Sequence, residues 1–295
     1  MTDIKGKLDL NKLILGTAQF GKNYGITNAK QISSSEVKSL LDYAKDNKLN
    51  QLDTANSYGD SEKLIGKNNN KYFNISTKLS CPSSIQNFNK KLLFDQVDIS
   101  LNKVKTDMFE TLFVHNAKEF INDSKNDFYK NLLCLKDMKK TKKIGVSVYD
   151  PLEVYKLLDI YDIDVIQLPL NLFDQRFIDE KIIHYLEKKG VEIHIRSIFL
   201  QGVLLSSRST LPRYFEKWNE KFHLYYHWLT VNNIDPISAC INFVYNKFSN
   251  FKIIIGVNSK KDLVQIISNY KKCNPINTNM LKNDDPELID PRKWN

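Results

Sequence analysis

A chain of 295 residues with 42% hydrophobic and 26% charged residues has the make-up of a folded globular protein. That excludes a disordered chain, a collagen and a small disulfide scaffold. The net charge of +9 is lysine-borne, 38 Lys against 5 Arg. Base reading leans on the planar fork of Arg, so no nucleic-acid partner is expected. Cys81, Cys134, Cys240 and Cys273 form no CxxC pair, which gives no reason to expect a metal or a thiol redox motif. The N-terminus lacks a signal-peptide apolar region, and no apolar run reaches the roughly 18 residues of a membrane span. A cytoplasmic protein with no membrane partner is the expectation.

Taken in chain order, short apolar strands alternate with amphipathic helices. Leu13-Ile14-Leu15 is the first strand. Ser33 and Glu36 have the spacing of a capping box before a helix carrying Val37, Leu40, Leu41 and Ala44. Gln51 to Ala55 is a strand, with a helix beginning near Gly59-Asp60. Asn68-Asn69-Asn70 reads as a solvated loop. Phe73 to Lys78 is the third strand, a helical stretch covers Ile85 to Val104, and Thr111 to His115 is the fourth strand. Ile144 to Val148 is the fifth. Asp150-Pro151 supplies an N-cap and a first-turn proline for a helix burying Val154, Leu157, Leu158 and Tyr161. Val165 to Leu168 and Val191 to Ile195 follow. Phe251 to Ile255 runs into Gly256, and Ser259 caps a last helix carrying Leu263, Ile266, Ile267 and Tyr270.

Eight strand-then-helix units without a linker predict an α/β protein: a single (β/α)8 TIM barrel over residues 1–295, with 273–295 as a C-terminal tail near the active-site mouth. In such a barrel the chemistry sits at the C-terminal ends of the strands. Strand two ends at Asp53 and leads to Tyr58, strand three ends at Lys78 and strand four at His115. Each alone has a bland reading as a cap, a loop aromatic, a snorkelling chain or a satisfied polar terminus. Together at one mouth they suit carbonyl reduction. Tyr58 would be the proton donor, made more acidic by the Lys78 ammonium. Asp53 would hold Lys78, and His115 would position the carbonyl oxygen. No side chain supplies a hydride, so a nicotinamide cofactor is implied.

These residues resemble the aldo-keto reductase family. The resemblance is carried by Leu15-Gly16-Thr17-Ala18, Leu52-Asp53-Thr54-Ala55 with Tyr58-Gly59, Ser61-Glu62 and Leu64-Ile65-Gly66, Ser76-Thr77-Lys78, Leu112-Phe113-Val114-His115, Ile144-Gly145-Val146-Ser147, and Ile166-Gln167 with Asn171. It implies an NADPH-dependent (or NADH-dependent) reductase of a small-molecule carbonyl, with Asp53, Tyr58, Lys78 and His115 as the catalytic tetrad. It also implies cofactor contacts from Gly16, Thr17 and Asp53, and from Ser147 and Gln167 on the nicotinamide amide. Val148 stands where the family has an Asn. Arg196 takes the place of a ring-stacking Tyr and can stack on the ring or reach a phosphate. Ser197 and Phe199 match positions along the pyrophosphate. Gly256 and Asn258 belong to a turn whose N–H groups suit an anion. Lys260 or Lys261 is expected at a 2′-phosphate, which favours NADPH, and Gln265 at the adenine. The segments Phe20-Gly21 to Ile26 and Arg196 to Gly202, with the tail, resemble members associated with bacterial surface-sugar biosynthesis, which implies a sugar-derived carbonyl.

Gly16 to Asn23 matches a phosphate-binding loop in all but its last position, yet Tyr24 to Asn28 reads as loop rather than the helix such a site needs. The aromatic run Phe215, Trp218, Phe222, Tyr225, Tyr226 and Trp228 reads as helix packing before it reads as a substrate pocket. A regulatory subunit that binds cofactor with little turnover is the alternative function. The oligomeric state is not legible.

Overall fold

The computed structural model describes residues 8–26, 30–69, 71–80, 89–122, 127–248 and 250–294. Eight parallel strands close into a barrel in sequence order. They are β1 (Leu13–Gly16), β2 (Gln51–Asp53), β3 (Asn74–Leu79), β4 (Phe109–Val114), β5 (Thr141–Ser147), β6 (Val165–Pro169), β7 (Glu192–Arg196) and β8 (Phe251–Gly256). The first seven helices are α1 (Ala18–Gly21), α2 (Ser34–Asp46), α3 (Ser61–Asn68), α4 (Lys90–Val104), α5 (Ala117–Ile121), α6 (Asp127–Asp137) and α7 (Pro151–Ile160). After β6 come α8 (Arg176–Asp179) and α9 (Ile182–Lys189), and after β7 come α10 (Asn219–Val231) and α11 (Pro236–Tyr245). The chain ends through α12 (Lys260–Asn269) and α13 (Pro286–Ile289). The expected (β/α)8 barrel is the observed fold. Among the described residues, no helix is long and apolar enough to cross a membrane.

Most strand positions are buried because a parallel barrel strand is covered on both faces. Leu13, Leu15, Leu52, Leu112, Ile144, Ile166, Ile193, Ile253 and Ile255 are all fully buried. Register then fixes which residues share the rim. Gly16 pairs Asp53 and Gly256, Asp53 pairs Ser76, and Ser147 pairs Gln167. The aromatic run packs as core: Phe215, Phe222, Tyr225 and Trp228 are buried, and Phe173 meets the Phe222 and Tyr225 rings edge-on.

Helix starts follow their caps, with two departures from the sequence reading. On α7 the capping box is complete: Asp150 accepts from the Leu152 N–H and the Glu153 carboxylate accepts from the Asp150 N–H. On α2 it is half made. The Ser33 hydroxyl accepts from the Glu36 N–H at 3.2 Å, but the Glu36 carboxylate turns to the backbone N–H of Lys260 at 2.6 Å. Asn68–Asn70 is not a solvated loop where it is described. Asn68 ends α3, and Asn69 is buried because its amide donates to the Val104 carbonyl, joining α3 to α4. β2 ends at Asp53, two residues early, and α3 begins at Ser61. Cys81, Asn70, the Thr27-Asn28 part of the expected loop and the expected helix start at Ile85 lie outside the described residues.

Candidate active site

Asp53 is the last residue of β2, Lys78 the penultimate residue of β3, and His115 the residue following β4. Tyr58 sits in the turn before α3, where its N–H donates to the Ala55 carbonyl and its own carbonyl accepts from Ser61 N–H. Lys78 Nζ donates to the Asp53 carboxylate and, at 3.0 Å, to the Thr54 carbonyl. The other Asp53 oxygen accepts from Gln167 Nε2 at 2.9 Å. The two charged side chains are 2% and 5% exposed, so the pair is a buried ion pair with its remaining hydrogen-bonding capacity largely filled. Above it lies the Tyr58 ring, whose centre is 5.3 Å from Lys78 Nζ and 4.8 Å from Lys22 Nζ. The His115 ring meets Tyr58 edge-on at 6.3 Å. The structure therefore brings all four sequence-predicted residues together.

Their electrostatics differ from the sequence expectation in one respect. Burial pushes the Tyr58 phenol well above its ordinary value, Asp53 and Tyr149 add to this, and Arg196 opposes it. Lys78 Nζ is itself committed to the Asp53 carboxylate and the Thr54 carbonyl. Burial, with the Lys78 charge adding, lowers His115 to about 4, so its imidazole is neutral at pH 7. Tyr24 is raised to about 12, by burial first and then by Tyr58 and Tyr149.

Tyr58 and Asp53 form one end of a cavity of about 210 Å³. Gly16, Thr17, Gln167, Arg196, Ser197, Phe199, Gly256, Asn258 and Gln265 also line it, as the sequence expects of cofactor contacts. Thr17 is locked by donating to the Asp53 carbonyl at 3.0 Å. Ser147 and Lys260 are not on this wall. Ser147 is buried at the end of β5 beside Gln167, and Lys260 Nζ lies 5.4 Å from the centre of the Tyr43 ring on α2. Arg196 lies 3.9 Å from the Tyr149 ring centre and donates to the Val148 carbonyl at 3.0 Å.

Several wall residues escape the sequence reading. Gln19, Tyr24, Gln201 and Gly202 line the cavity, as does Asp262 in the first turn of α12. The loop after β7 carries left-handed backbone at Ser197, Leu200, Gln201 and Gly202. Only Gly signals such a conformation in sequence, so three of the four are silent. Asp262 is equally silent, because an acid in a first helical turn is ordinary.

Solved structures share the fold. An aldo-keto reductase from Bacillus halodurans, AKR11C1 in its holo form, aligns with TM-score 0.71 and 19% identity over 92% of this chain and 89% of that one. A glycerol dehydrogenase from Gluconobacter oxydans, AKR11B4, aligns with TM-score 0.69 and 19% identity over 90% of this chain and 88% of that one. No curated protein sequence matches. The family model described as the aldo/keto reductase family spans residues 12–282, from the first strand to beyond the last, and the chain belongs to that family.

Proposed function

We propose that this chain reduces an aldehyde or ketone to an alcohol, with Tyr58 delivering the proton to the carbonyl oxygen. Membership of the family makes it a nicotinamide-dependent oxidoreductase of small-molecule carbonyls. The finer reading rests on one observation: a phenol and a neutral imidazole meet over a buried Lys78–Asp53 ion pair beside a cleft.

The cleft fits the dinucleotide. Its lining includes Tyr58 and, on α12, Asp262, Gln265 and Ile266, and the buried Asn258 Oδ1 has no hydrogen-bond partner among the described residues. Gly16, Thr17, Gln167, Arg196, Ser197, Phe199, Gly256, Asn258 and Gln265 would hold the cofactor. The nicotinamide supplies the hydride when bound. Tyr58 carries its proton at neutral pH, as an ordinary phenol does and as burial reinforces, so it can donate to the more basic alkoxide. His115, neutral, can hydrogen-bond the carbonyl oxygen without bringing a charge. Lys78 and Asp53 hold the floor of the site in place. NADPH, the form favoured by sequence, would have to meet Lys260 or Lys261, and neither lines the cavity.

The test is the oxidation of reduced cofactor, followed by its absorbance, across aldehydes, ketones and sugar-derived carbonyls, for wild type and Tyr58→Phe. Turnover is expected to fall by about 10²–10⁴-fold in the variant, with cofactor affinity nearly intact. A phenylalanine variant as fast as wild type would show that the donor is another group. Tight cofactor binding without turnover on any carbonyl would favour a regulatory role.

A further inference from the structure

Away from the cleft, a second cavity of about 120 Å³ lies between α10, α11 and the segment 273–278, and the two cavities share no wall residue. Residues 271–278 have no helix or strand of their own. Side chains tie them down at both ends. At one end Asn242 on α11 donates to the Lys271 carbonyl at 2.6 Å and accepts from the Cys273 N–H at 3.2 Å, and Asn246 donates to the Cys273 carbonyl at 3.3 Å. At the other, Trp228 Nε1 donates to the Asn277 carbonyl at 3.0 Å and Gln175 Nε2 to the Thr278 carbonyl at 3.1 Å. The cavity lies between these ties.

Its walls are apolar at Trp228, Ala239, Phe243 and Ile276. Asn242 and Trp228 commit their polar groups to the ties. Thr278 does not: it lines the cavity, it is 4% exposed, and its hydroxyl has no hydrogen-bond partner among the described residues. The walls bring no buried charge. Lys247 is exposed, with its ammonium 5.7 Å from the Phe243 ring centre, and burial, with Asp235 adding, raises the Cys273 thiol so that it stays neutral. An orphaned buried hydroxyl destabilises a fold, whereas an apolar group of the same shape does not. A ligand that pairs the hydroxyl removes that penalty. The size and the walls narrow the ligand. An apolar cavity of about 150 Å³ takes a benzene ring, so this one takes a single ring or a short chain. An ionised group would enter without a buried partner, at a desolvation cost that an uncharged one avoids.

We propose that this cavity is a second ligand site, which takes a small uncharged molecule of one ring or a short chain and pairs its hydroxyl with Thr278. The site is separate from the cleft, so it stands or falls independently of the reductase reading.

Isothermal titration calorimetry of the intact protein with free phenol and with toluene tests it, beside a crystal soaked in phenol. Phenol is expected to bind with a dissociation constant of about 1 mM or below, as suits seven heavy atoms. The soaked crystal is expected to show its ring between α10, α11 and the 273–278 segment, with its oxygen at hydrogen-bond distance from Thr278 Oγ1. Thr278→Val keeps the shape and removes the hydroxyl. Phenol affinity is expected to fall by about tenfold in that variant while toluene affinity stays the same. Without ligand, the variant is expected to unfold at the same urea concentration as wild type or a higher one, because no paired group is lost. A valine variant that unfolds at lower urea would mean that the hydroxyl already serves the fold, and overturns the proposal. Phenol affinity unmoved by the substitution, a ring seated in the cleft instead, or density for water alone in the cavity each overturns it too.

Discussion

The backbones of Gly21 and Gly59 cross so closely that neither residue has room for a side chain. A Cβ on Gly21 would lie 1.7 Å from the Tyr58 carbonyl oxygen, and one on Gly59 would lie 2.2 Å from the Gly21 carbonyl oxygen. Gly59 also has φ +54°, which a larger residue adopts only with strain. The crossing fixes the turn that presents Tyr58. In Gly21→Ala the Tyr58 backbone must move. We expect a loss of about 1–3 kcal/mol in urea denaturation, from overpacking. Because the proposed acid shifts with its backbone, kcat should fall by about tenfold or more while cofactor affinity changes less. An alanine variant with wild-type kcat would show that the turn does not set the position of the phenol.

Removing Lys78 leaves the Asp53 carboxylate buried with, among the described residues, the Gln167 amide as its hydrogen-bond partner. Breaking one side of a buried pair costs about 3–5 kcal/mol, whereas removing both charges together costs far less. Lys78→Met is therefore expected to be much less stable than Lys78→Met/Asp53→Asn. Chemical denaturation at pH 7 checks this. Equal stabilities for the two variants would mean that the ion pair is not held in the folded state as described.

His115 carries a pH signature whose sign can be worked out. Its pKa falls from 6.5 to about 4 on folding, through burial and then through Lys78. Between those values the unfolded chain binds the extra proton, so stability rises with pH across the window and is lost as pH falls. His194, buried and also lowered, adds a contribution of the same sign. His115→Asn is expected to flatten, but not abolish, the dependence of unfolding free energy on pH between about 4 and 6.5. Denaturant titrations at several pH values provide the measurement. A proton NMR titration placing His115 near 6.5 would contradict the burial argument.

The barrel and the rim cluster of Asp53, Tyr58, Lys78 and His115 are readable in the chain because both follow from local rules. Strands buried on two faces are short apolar runs, and rim chemistry shows as polar residues that end them. Asp53, Lys78 and His115 stand out for that reason. What stays hidden depends on distant partners. Ser33 and Glu36 have capping-box spacing, and the box is half made because the Lys260 N–H competes for the carboxylate. Asn69 looks like solvated polar sequence, yet the Val104 carbonyl needs its donor. The Tyr58 phenol looks like a group lowered by its neighbours, yet burial, a property only the closed barrel shows, raises it.

Tyr149 ties the end of the chain to the cleft. Its ring lies between two guanidinium groups, with Arg196 from the β7 end at 3.9 Å from the ring centre and Arg292 at 3.4 Å. Arg292 is itself held by Asp290 through hydrogen bonds of 2.6–3.1 Å. The π face, rather than the hydroxyl, makes these contacts. Tyr149→Leu removes the face and keeps much of the volume. It should cost about 1–2 kcal/mol of stability, at about 0.5–1 kcal/mol for each cation–π contact. It should also weaken dinucleotide binding several-fold, because Arg196 on the cavity wall loses the surface that orients it. Tyr149→Phe keeps the face and should match wild type in both urea denaturation and cofactor titration. A phenylalanine variant as impaired as the leucine variant would transfer the role to the hydroxyl.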